Sequence, residues 1–244
     1  MRITVPNIVY AVGHPIRALR YVLHRDTIPY ETIARYLPSE PVIVEAGAYD
    51  GTNTGEMARF WPTATIHAFE PIPSAAELVR GKIQEFGARV RCHELGLGVQ
   101  DTQIEMYVSG DGSSGSCQSS SMLAPTAAQF REFPNIAFGC RQLVTMRSLD
   151  SWAASESVPK VDFMWLDMQG YEIQALAAAP RILSTVSAIH MEVCNVQLYD
   201  DAPLYPEVKR RMASWGFVPV IEAYFRVSGN VLFVHPSRSR GHIH

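Results

Sequence analysis

The chain has 244 residues, of which 47% are hydrophobic and 18% charged, and its net charge at pH 7 is −3. This composition supports a sizeable core and excludes wholesale disorder, and the length suits one α/β domain with a short extension. Because there is no dense basic run, binding to nucleic acid is not expected, and no membrane span or signal peptide is predicted. Four scattered cysteines without a Cys-x-x-Cys pair favour free thiols in a reducing cytoplasm.

The predicted organisation begins with a partly helical N-terminal extension over residues 1–40. Helical spacing is present at residues 18–22 and 30–37, and prolines close the segment. The main domain is expected over residues 41–236 and a flexible tail over 237–244, with an unknown oligomeric state.

From residue 42 onward, short apolar runs alternate with amphipathic stretches, which is typical of a doubly wound, mostly parallel sheet with helices on both faces. The predicted strands are 42–46, 65–69, 88–93, 103–108, 161–166 and 187–193, with 143–147 as an edge strand and 217–224 and 230–234 as a closing antiparallel pair. The predicted helices are 54–60, 74–86, 171–178 and 206–215. Ser74 is expected to cap its helix in a capping box with Glu77, and Asp150 or Ser151 to cap a short helix.

A glycine-rich segment, Glu45-Ala46-Gly47-Ala48-Tyr49-Asp50-Gly51, connects the first predicted strand to a helix. Such a turn positions an adenine-containing cofactor in many α/β proteins. The glycines are spaced G-x-x-x-G-x-x-x-G, and the dinucleotide fingerprint G-x-G-x-x-G is absent. S-adenosylmethionine carries no phosphate, but it carries an ammonium, a carboxylate and a sulfonium group. Its site therefore needs acidic side chains beside the glycines, and Glu45 and Asp50 supply them.

An acidic residue, Glu70, follows the second predicted strand, where a carboxylate can accept hydrogen bonds from ribose hydroxyls. Glu94, after the third strand, can reach an adenine amino group, or Leu95 and Gly96 make backbone and packing contacts there. In the alternative interpretation the glycines only form a turn and Glu70 caps a helix; the two features together disfavour it. The predicted cofactor-binding residues are Glu45, Gly47, Tyr49, Asp50, Thr52, Asn53, Glu70, Pro71, Glu94, Gly96 and Asp167.

The acceptor is expected beyond the carboxyl ends of the middle strands. Asp167 and Glu192 lie there, and Asp167 is the first choice for a general base or acceptor-orienting group, although an aspartate here can also cap the next helix. Glu172 either favours the helix dipole or reaches the site through a water. The predicted catalytic residues are therefore Asp167, Glu192 and Glu172.

A polar loop over residues 109–121 is long for a compact domain, which suggests function or mobility. The predicted acceptor-contacting residues are Ser119, Ser120, Ser121, Tyr171 and His190. For His190 a buried, hydrogen-bonded role is the more ordinary alternative. Asp167, Glu192 and Asn195 carry oxygen ligands that suit magnesium, but no metal is predicted.

Short motifs from about residue 41 to 234 resemble the FkbM family of S-adenosylmethionine-dependent methyltransferases. The matching stretches are 44–51, 68–71, 119–123, 148–152, 165–172 running on to 175–176, 191–193, 198–199 and 215–217. The most specific is Asp167-Met168-Gln169-Gly170-Tyr171-Glu172; the family commonly shows Glu where this chain has Gln169, and Gln is also familiar there.

The resemblance implies a Rossmann-like class I methyltransferase fold, a seven-stranded sheet with an antiparallel C-terminal strand, and S-adenosyl-L-methionine as cofactor. It further implies O-methylation of a small-molecule acceptor. The methylated group would be a hydroxyl of a sugar, a glycolipid or a polyketide-like secondary metabolite. Three alternatives stay open: N-methylation, a non-catalytic cofactor-binding module, and a nicotinamide-dependent oxidoreductase, against which the missing G-x-G-x-x-G counts.

Overall fold

The computed structural model describes residues 28–110, 117–224 and 226–240. The predicted helical spacing at residues 18–22 and the end of the predicted tail lie outside the described residues. The division of the chain after residues 40 and 236 stays a prediction. No helix in the described part of the chain is long and apolar enough to cross a membrane.

Ten strands alternate with helices along the described chain. The strands are β1 (Val42–Ala46), β2 (Thr65–Phe69), β3 (Val90–His93), β4 (Gly96–Leu97), β5 (Thr102–Ser109), β6 (Phe138–Arg147), β7 (Phe163–Leu166), β8 (Ala188–Cys194), β9 (Val218–Tyr224) and β10 (Ser228–Val234). The helices are α1 (Tyr30–Ala34), α2 (Thr52–Phe60), α3 (Pro73–Ile83), a 3₁₀ helix (Gln84–Arg89), α4 (Ala127–Glu132), α5 (Leu149–Ser155), α6 (Glu172–Ala177), α7 (Pro180–Leu183) and α8 (Tyr205–Ser214).

The main sheet has seven strands in the order β3-β2-β1-β7-β8-β10-β9. The first five are parallel, and β10 runs antiparallel to both of its neighbours. The predicted doubly wound sheet and its antiparallel C-terminal strands are therefore confirmed. The strand order reverses between β1 and β7, and in such sheets ligands bind beyond the carboxyl ends of the strands at that point.

The two faces of this sheet carry separate cores, as expected when period-2 strands alternate their side chains. One face buries Ile43 and Phe163 with helices α1, α2 and α3. The other buries Val44 and Met164 with helices α5 to α8. Burial on both faces explains why the strands are nearly continuous apolar runs.

A second sheet, in the order β4-β6-β5, lies outside the main one. The predicted strand at 143–147 is part of β6, which pairs with strands on both sides, so its prediction as an edge strand is wrong. Its alternating burial, typical of a half-solvated sheet, is the cause of the error.

Two predicted helix caps are also wrong. Helix α3 begins at Pro73 with Ile72 as its N-cap, because proline fits the first helical turn, and Ser74 makes no cap hydrogen bond. Helix α5 is capped by Ser148, which accepts from the Ser151 amide. Asp150 instead accepts from the Arg181 and Ile182 amides at the start of α7, 2.9 and 2.8 Å away.

Backbone contact at the reversal point depends on Gly47, which has φ +86°. A Cβ there would lie 1.9 Å from the Asp167 carbonyl oxygen, so we expect Gly47→Ala to lower the free energy of unfolding by more than about 2 kcal/mol. Gly81, inside α3, has no atom within 4 Å of its hypothetical Cβ. Gly81→Ala should therefore stabilise by about 0.5–1 kcal/mol. Urea unfolding checks both, and equal effects would contradict the close approach at Gly47.

Candidate cofactor and acceptor site

A cavity of about 470 Å³ opens at the carboxyl ends of β1, β2, β7 and β8. The turn after β1, the residues after β2, strand β4 and the polar loop around Ser119 form its walls. The sequence places this cavity at the reversal point because the parallel strands on either side both end there.

The turn after β1 forms one wall. Gly47, Tyr49, Asp50, Thr52 and Asn53 line the cavity, as predicted from the glycine-rich segment. The Asp50 carboxylate accepts from the Thr52 amide and hydroxyl, each at 2.9 Å. Burial opposes ionisation of Asp50, but bonds from Lys82 and Thr52 outweigh it and lower the pKa of Asp50. Asp50 is therefore an ionised group at the mouth of the cavity.

Glu45 lies behind this turn and is not part of the cavity wall. Its carboxyl group is fully buried and accepts a hydrogen bond from Thr54, while Oε1 has no partner among the described residues. Burial raises the pKa of Glu45 to about 8. The geometry thus gives no support to a direct cofactor contact by Glu45 and makes it a link between β1 and α2.

Glu70 is placed where the sequence predicts a ribose-binding carboxylate. Its Oε2 accepts from the Tyr49 amide at 2.8 Å and its Oε1 from the Ile72 amide at 2.9 Å. Burial raises its pKa to about 7 against the effect of these two bonds. Glu70, Pro71 and Ile72 all line the cavity. The carboxylate is therefore fixed in direction by the backbone and faces the interior.

Glu94 points elsewhere. It is partly exposed and bonds Arg80 at 2.6 Å outside the cavity. The cavity wall here consists of Gly96 and Leu97; of the alternative pair Leu95 and Gly96, only Gly96 lines the cavity. A Cβ on Gly96 would lie 2.6 Å from the Met146 sulfur, so the Met146 side chain occupies the space that a side chain at position 96 would need.

Two carboxylates, Asp167 and Glu192, meet at the other end of the cavity. The Gln169 side-chain amide donates to Asp167 Oδ1 at 2.7 Å and to Glu192 Oε2 at 3.2 Å. The Tyr199 hydroxyl lies 2.9 Å from Gln169 Oε1 and 2.8 Å from the Ser119 carbonyl oxygen. Gln169 adopts φ +52°, which turns its side chain back between the two acids.

Burial raises the pKa of both acids, that of Glu192 to about 8, where the Asp167 charge adds to the effect. A hydrogen bond with Glu192 lowers the pKa of Asp167 against its burial. Because two adjacent carboxylates do not both ionise easily, Glu192 is the acid that keeps its proton more readily, and it can share that proton with Asp167.

Other predicted residues are placed as follows. Glu172 accepts from the Met168 amide at 2.7 Å and the Gly170 amide at 3.4 Å, and it fixes the loop from behind rather than lining the cavity. Ser119 and Ser120 line the cavity, whereas Ser121 is buried and donates to the Gln169 carbonyl oxygen at 2.9 Å.

Tyr171 and His190 are not in the cavity wall. Tyr171 packs on the core, and His190 stacks on Trp165 with ring centroids 3.6 Å apart. His190 does share a sheet face with Glu192, as expected two residues apart, but it lies deeper. Within the described residues no group of three or more potential metal-ligating acids, histidines or cysteines is present.

The charges of the cavity fit S-adenosylmethionine. Its described wall contains four carboxylates, those of Asp50, Glu70, Asp167 and Glu192, and neither lysine nor arginine. A dinucleotide pyrophosphate would face these acidic groups with no cation in the described wall, whereas S-adenosylmethionine, with a sulfonium, an ammonium and a carboxylate, is net positive. The residues that would hold it are the turn after β1, Glu70 with its neighbours, and the strand end at Gly96.

The model of the FkbM methyltransferase domain matches residues 45–219. The chain belongs to the FkbM methyltransferase family. It is by family and fold a methyltransferase that uses S-adenosylmethionine. A curated relative of this FkbM methyltransferase is the "2-O-methyltransferase NoeI" of Sinorhizobium fredii, 26% identical over 162 residues, which are 66% of this chain and 66% of the relative.

The chain is similar to solved structures at low sequence identity. A fibrillarin/Nop5p complex gives a TM-score of 0.50 at 15% identity and covers 82% of this chain and 74% of that chain. The fibrillarin pre-rRNA processing protein of Methanococcus jannaschii gives 0.49 at 13% identity, covering 83% and 72%. The similarity to the fibrillarin/Nop5p complex is one of fold alone.

The predicted ribose contact of Glu70 can be tested by replacing Glu70, with a replacement of Glu94, which points out of the cavity, as the control. We expect Glu70→Gln to weaken S-adenosylhomocysteine binding by about 1–3 kcal/mol, because buried hydroxyls would lose a charged partner. Glu94→Gln, whose side chain lies outside the cavity, should leave the dissociation constant unchanged. Titration calorimetry measures both, and an unchanged constant for Glu70→Gln contradicts the ribose assignment.

The pKa of Glu70 predicts a pH dependence. Ribose hydroxyls donate to the ionised carboxylate, and its pKa of about 7 leaves the group largely protonated at pH 6. Affinity for S-adenosylhomocysteine should therefore rise between pH 6 and 8, with about one proton released on binding below pH 7. Glu70→Gln should remove this component; a wild-type affinity that falls over this interval would show that another group controls binding.

Proposed function

We propose that the protein transfers a methyl group from S-adenosylmethionine to a hydroxyl of a sugar-containing or secondary-metabolite acceptor. The observation that carries the proposal is the Asp167–Gln169–Glu192 cluster at the end of the cavity opposite the Glu70 wall. The relative from Sinorhizobium fredii, a 2-O-methyltransferase by name, supports transfer to oxygen.

Asp167 is proposed as the proton acceptor. When bound, S-adenosylmethionine supplies an activated methyl group, so the chain has only to align the acceptor oxygen, exclude water and take one proton. The proton passes from the acceptor hydroxyl to the Asp167 carboxylate as the oxygen gains its methyl group. Burial suits this role because it raises the basicity of the carboxylate toward neutral pH.

Gln169 is proposed as a positioning residue. Its amide nitrogen donates to both carboxylates and so links them, and the Tyr199 hydroxyl holds its oxygen. Glu172 positions the same loop through the Met168 amide. Neither residue is proposed to touch the acceptor.

A cytoplasmic location belongs to the same proposal. All four cysteines, Cys92, Cys117, Cys140 and Cys194, are free thiols, the state expected in a reducing compartment.

The direct test of the proposed function is a transfer screen. The full chain is incubated with tritiated S-adenosylmethionine and a panel of sugars, glycosides and hydroxylated natural products, with amine analogues as a parallel arm. Label should enter hydroxyl compounds as an alkali-stable methyl ether. Label confined to amines, or no transfer to any compound by a chain that binds S-adenosylhomocysteine, would contradict O-methylation.

Asp167→Asn should slow turnover while leaving the fold and cofactor site in place. General bases contribute about 10²–10⁴-fold, so we expect a loss of at least about 100-fold in kcat. The dissociation constant for S-adenosylhomocysteine should stay within about threefold, because an asparagine keeps one acceptor oxygen toward Gln169. Asp200→Asn, at an exposed position, is the matched control. A normal kcat would reduce Asp167 to a structural role.

A further inference from the structure

The chemistry of the cavity wall also restricts the acceptor, on the basis of the proposed function. We propose that the methylated group is an uncharged, hydroxyl-rich unit such as a neutral sugar ring, and that a phosphate or carboxylate beside the reacting hydroxyl excludes an acceptor. The inference rests on the hydrogen bonds and charges at the Asp167–Glu192 end of the cavity.

Three side-chain donors next to the two acids, those of Gln169, Tyr199 and Ser121, are already used within the protein. The Gln169 side-chain nitrogen donates one hydrogen bond to Asp167 and one to Glu192. The Tyr199 hydroxyl is directed at Ser119 and Gln169 oxygens, and the Ser121 hydroxyl donates to the Gln169 carbonyl. The acceptor therefore meets carboxylate oxygens, which recognise donors such as hydroxyl groups.

Cations are also lacking in the part of the wall that the structure describes. Lys82 lies at the rim and bonds Asp50 at 2.6 Å, and Arg80 bonds Glu94 outside the cavity. Against the described wall, a phosphate or carboxylate on the acceptor would thus lose water without gaining a counter-ion. It would also approach the remaining negative charge of the Asp167–Glu192 pair, and such like-charge contacts are strongly unfavourable in a desolvated site.

A cationic acceptor is disfavoured for a different reason. An ammonium would be attracted to the carboxylate pair, but this contact stabilises its protonated form. A protonated amine has no lone pair with which to attack the methyl group. The site therefore suits neutral hydroxyls, whose proton the pair can accept.

The test uses the best acceptor from the transfer screen and two analogues of it, one with a phosphate ester and one with a carboxylate next to the methylated hydroxyl. For the neutral compound kcat/KM should exceed that of either analogue by about 100-fold or more. Calorimetry on the chain saturated with S-adenosylhomocysteine should show the same order of affinity.

The outcomes separate the two claims. If the screen finds only anionic acceptors, or if an analogue reacts as well as the neutral compound, the inference on charge is overturned and O-methylation stands. If no hydroxyl compound is methylated, the proposed function fails and the inference with it.

A variant that removes one acid tests whether the Asp167–Glu192 pair causes the preference for neutral over anionic acceptors. Measured at pH 9, above the pKa of about 8 of Glu192, Glu192→Gln should narrow the neutral-to-anionic ratio of acceptor affinities by about tenfold, since one acid of the pair can no longer carry charge. Glu85→Gln, an exposed carboxylate paired with Arg59, is the matched control and should leave the ratio unchanged. Thermal melting verifies that both variants fold. An unchanged ratio in a folded Glu192→Gln protein contradicts the role of the pair.

Discussion

The site depends on holding carboxylates out of bulk water at one edge of the sheet without lysine or arginine partners among the described residues. Five of them end up there, and each is compensated by N–H or O–H donors: Glu45, Glu70, Asp167, Glu172 and Glu192. Desolvation raises the pKa values of all five acids, so protonated and ionised carboxyl groups lie side by side at this edge of the sheet. A cofactor with net positive charge relieves this constraint, and under the proposed function Asp167 takes the proton of the acceptor hydroxyl.

The same constraint explains the backbone of the site. Amide groups can serve as donors only if the turns after β1 and β7 direct them inward, and both turns contain residues with positive φ, among them Gly47, Tyr49, Gln169 and Gly170. Close contact between Gly47 and the Asp167 carbonyl joins the two turns. The cofactor end and the acceptor end of the cavity are thus one connected structure.

Much of this could be predicted from the sequence. The alternation of apolar runs and helices fixes the sheet, and the wide glycine spacing with Glu70 identifies the cofactor wall, because these signals depend only on chain periodicity and strand ends. The direction of a side chain is harder to predict. Glu45 points toward helix α2, where Thr54 bonds it, and Glu94 points to solvent, where it bonds Arg80. The direction of each side chain depends on strand register rather than on residue type.

Gln169 escaped the predicted set because its role requires φ +52° and two acids that are 25 residues apart in the chain. The most direct test of the account is a crystal structure of the full chain with S-adenosylhomocysteine. It should show ribose hydroxyls within hydrogen-bond distance of Glu70 and the sulfur atom facing Asp167 and Glu192. Binding with the ribose away from Glu70, or with the sulfur directed away from the two acids, would contradict it.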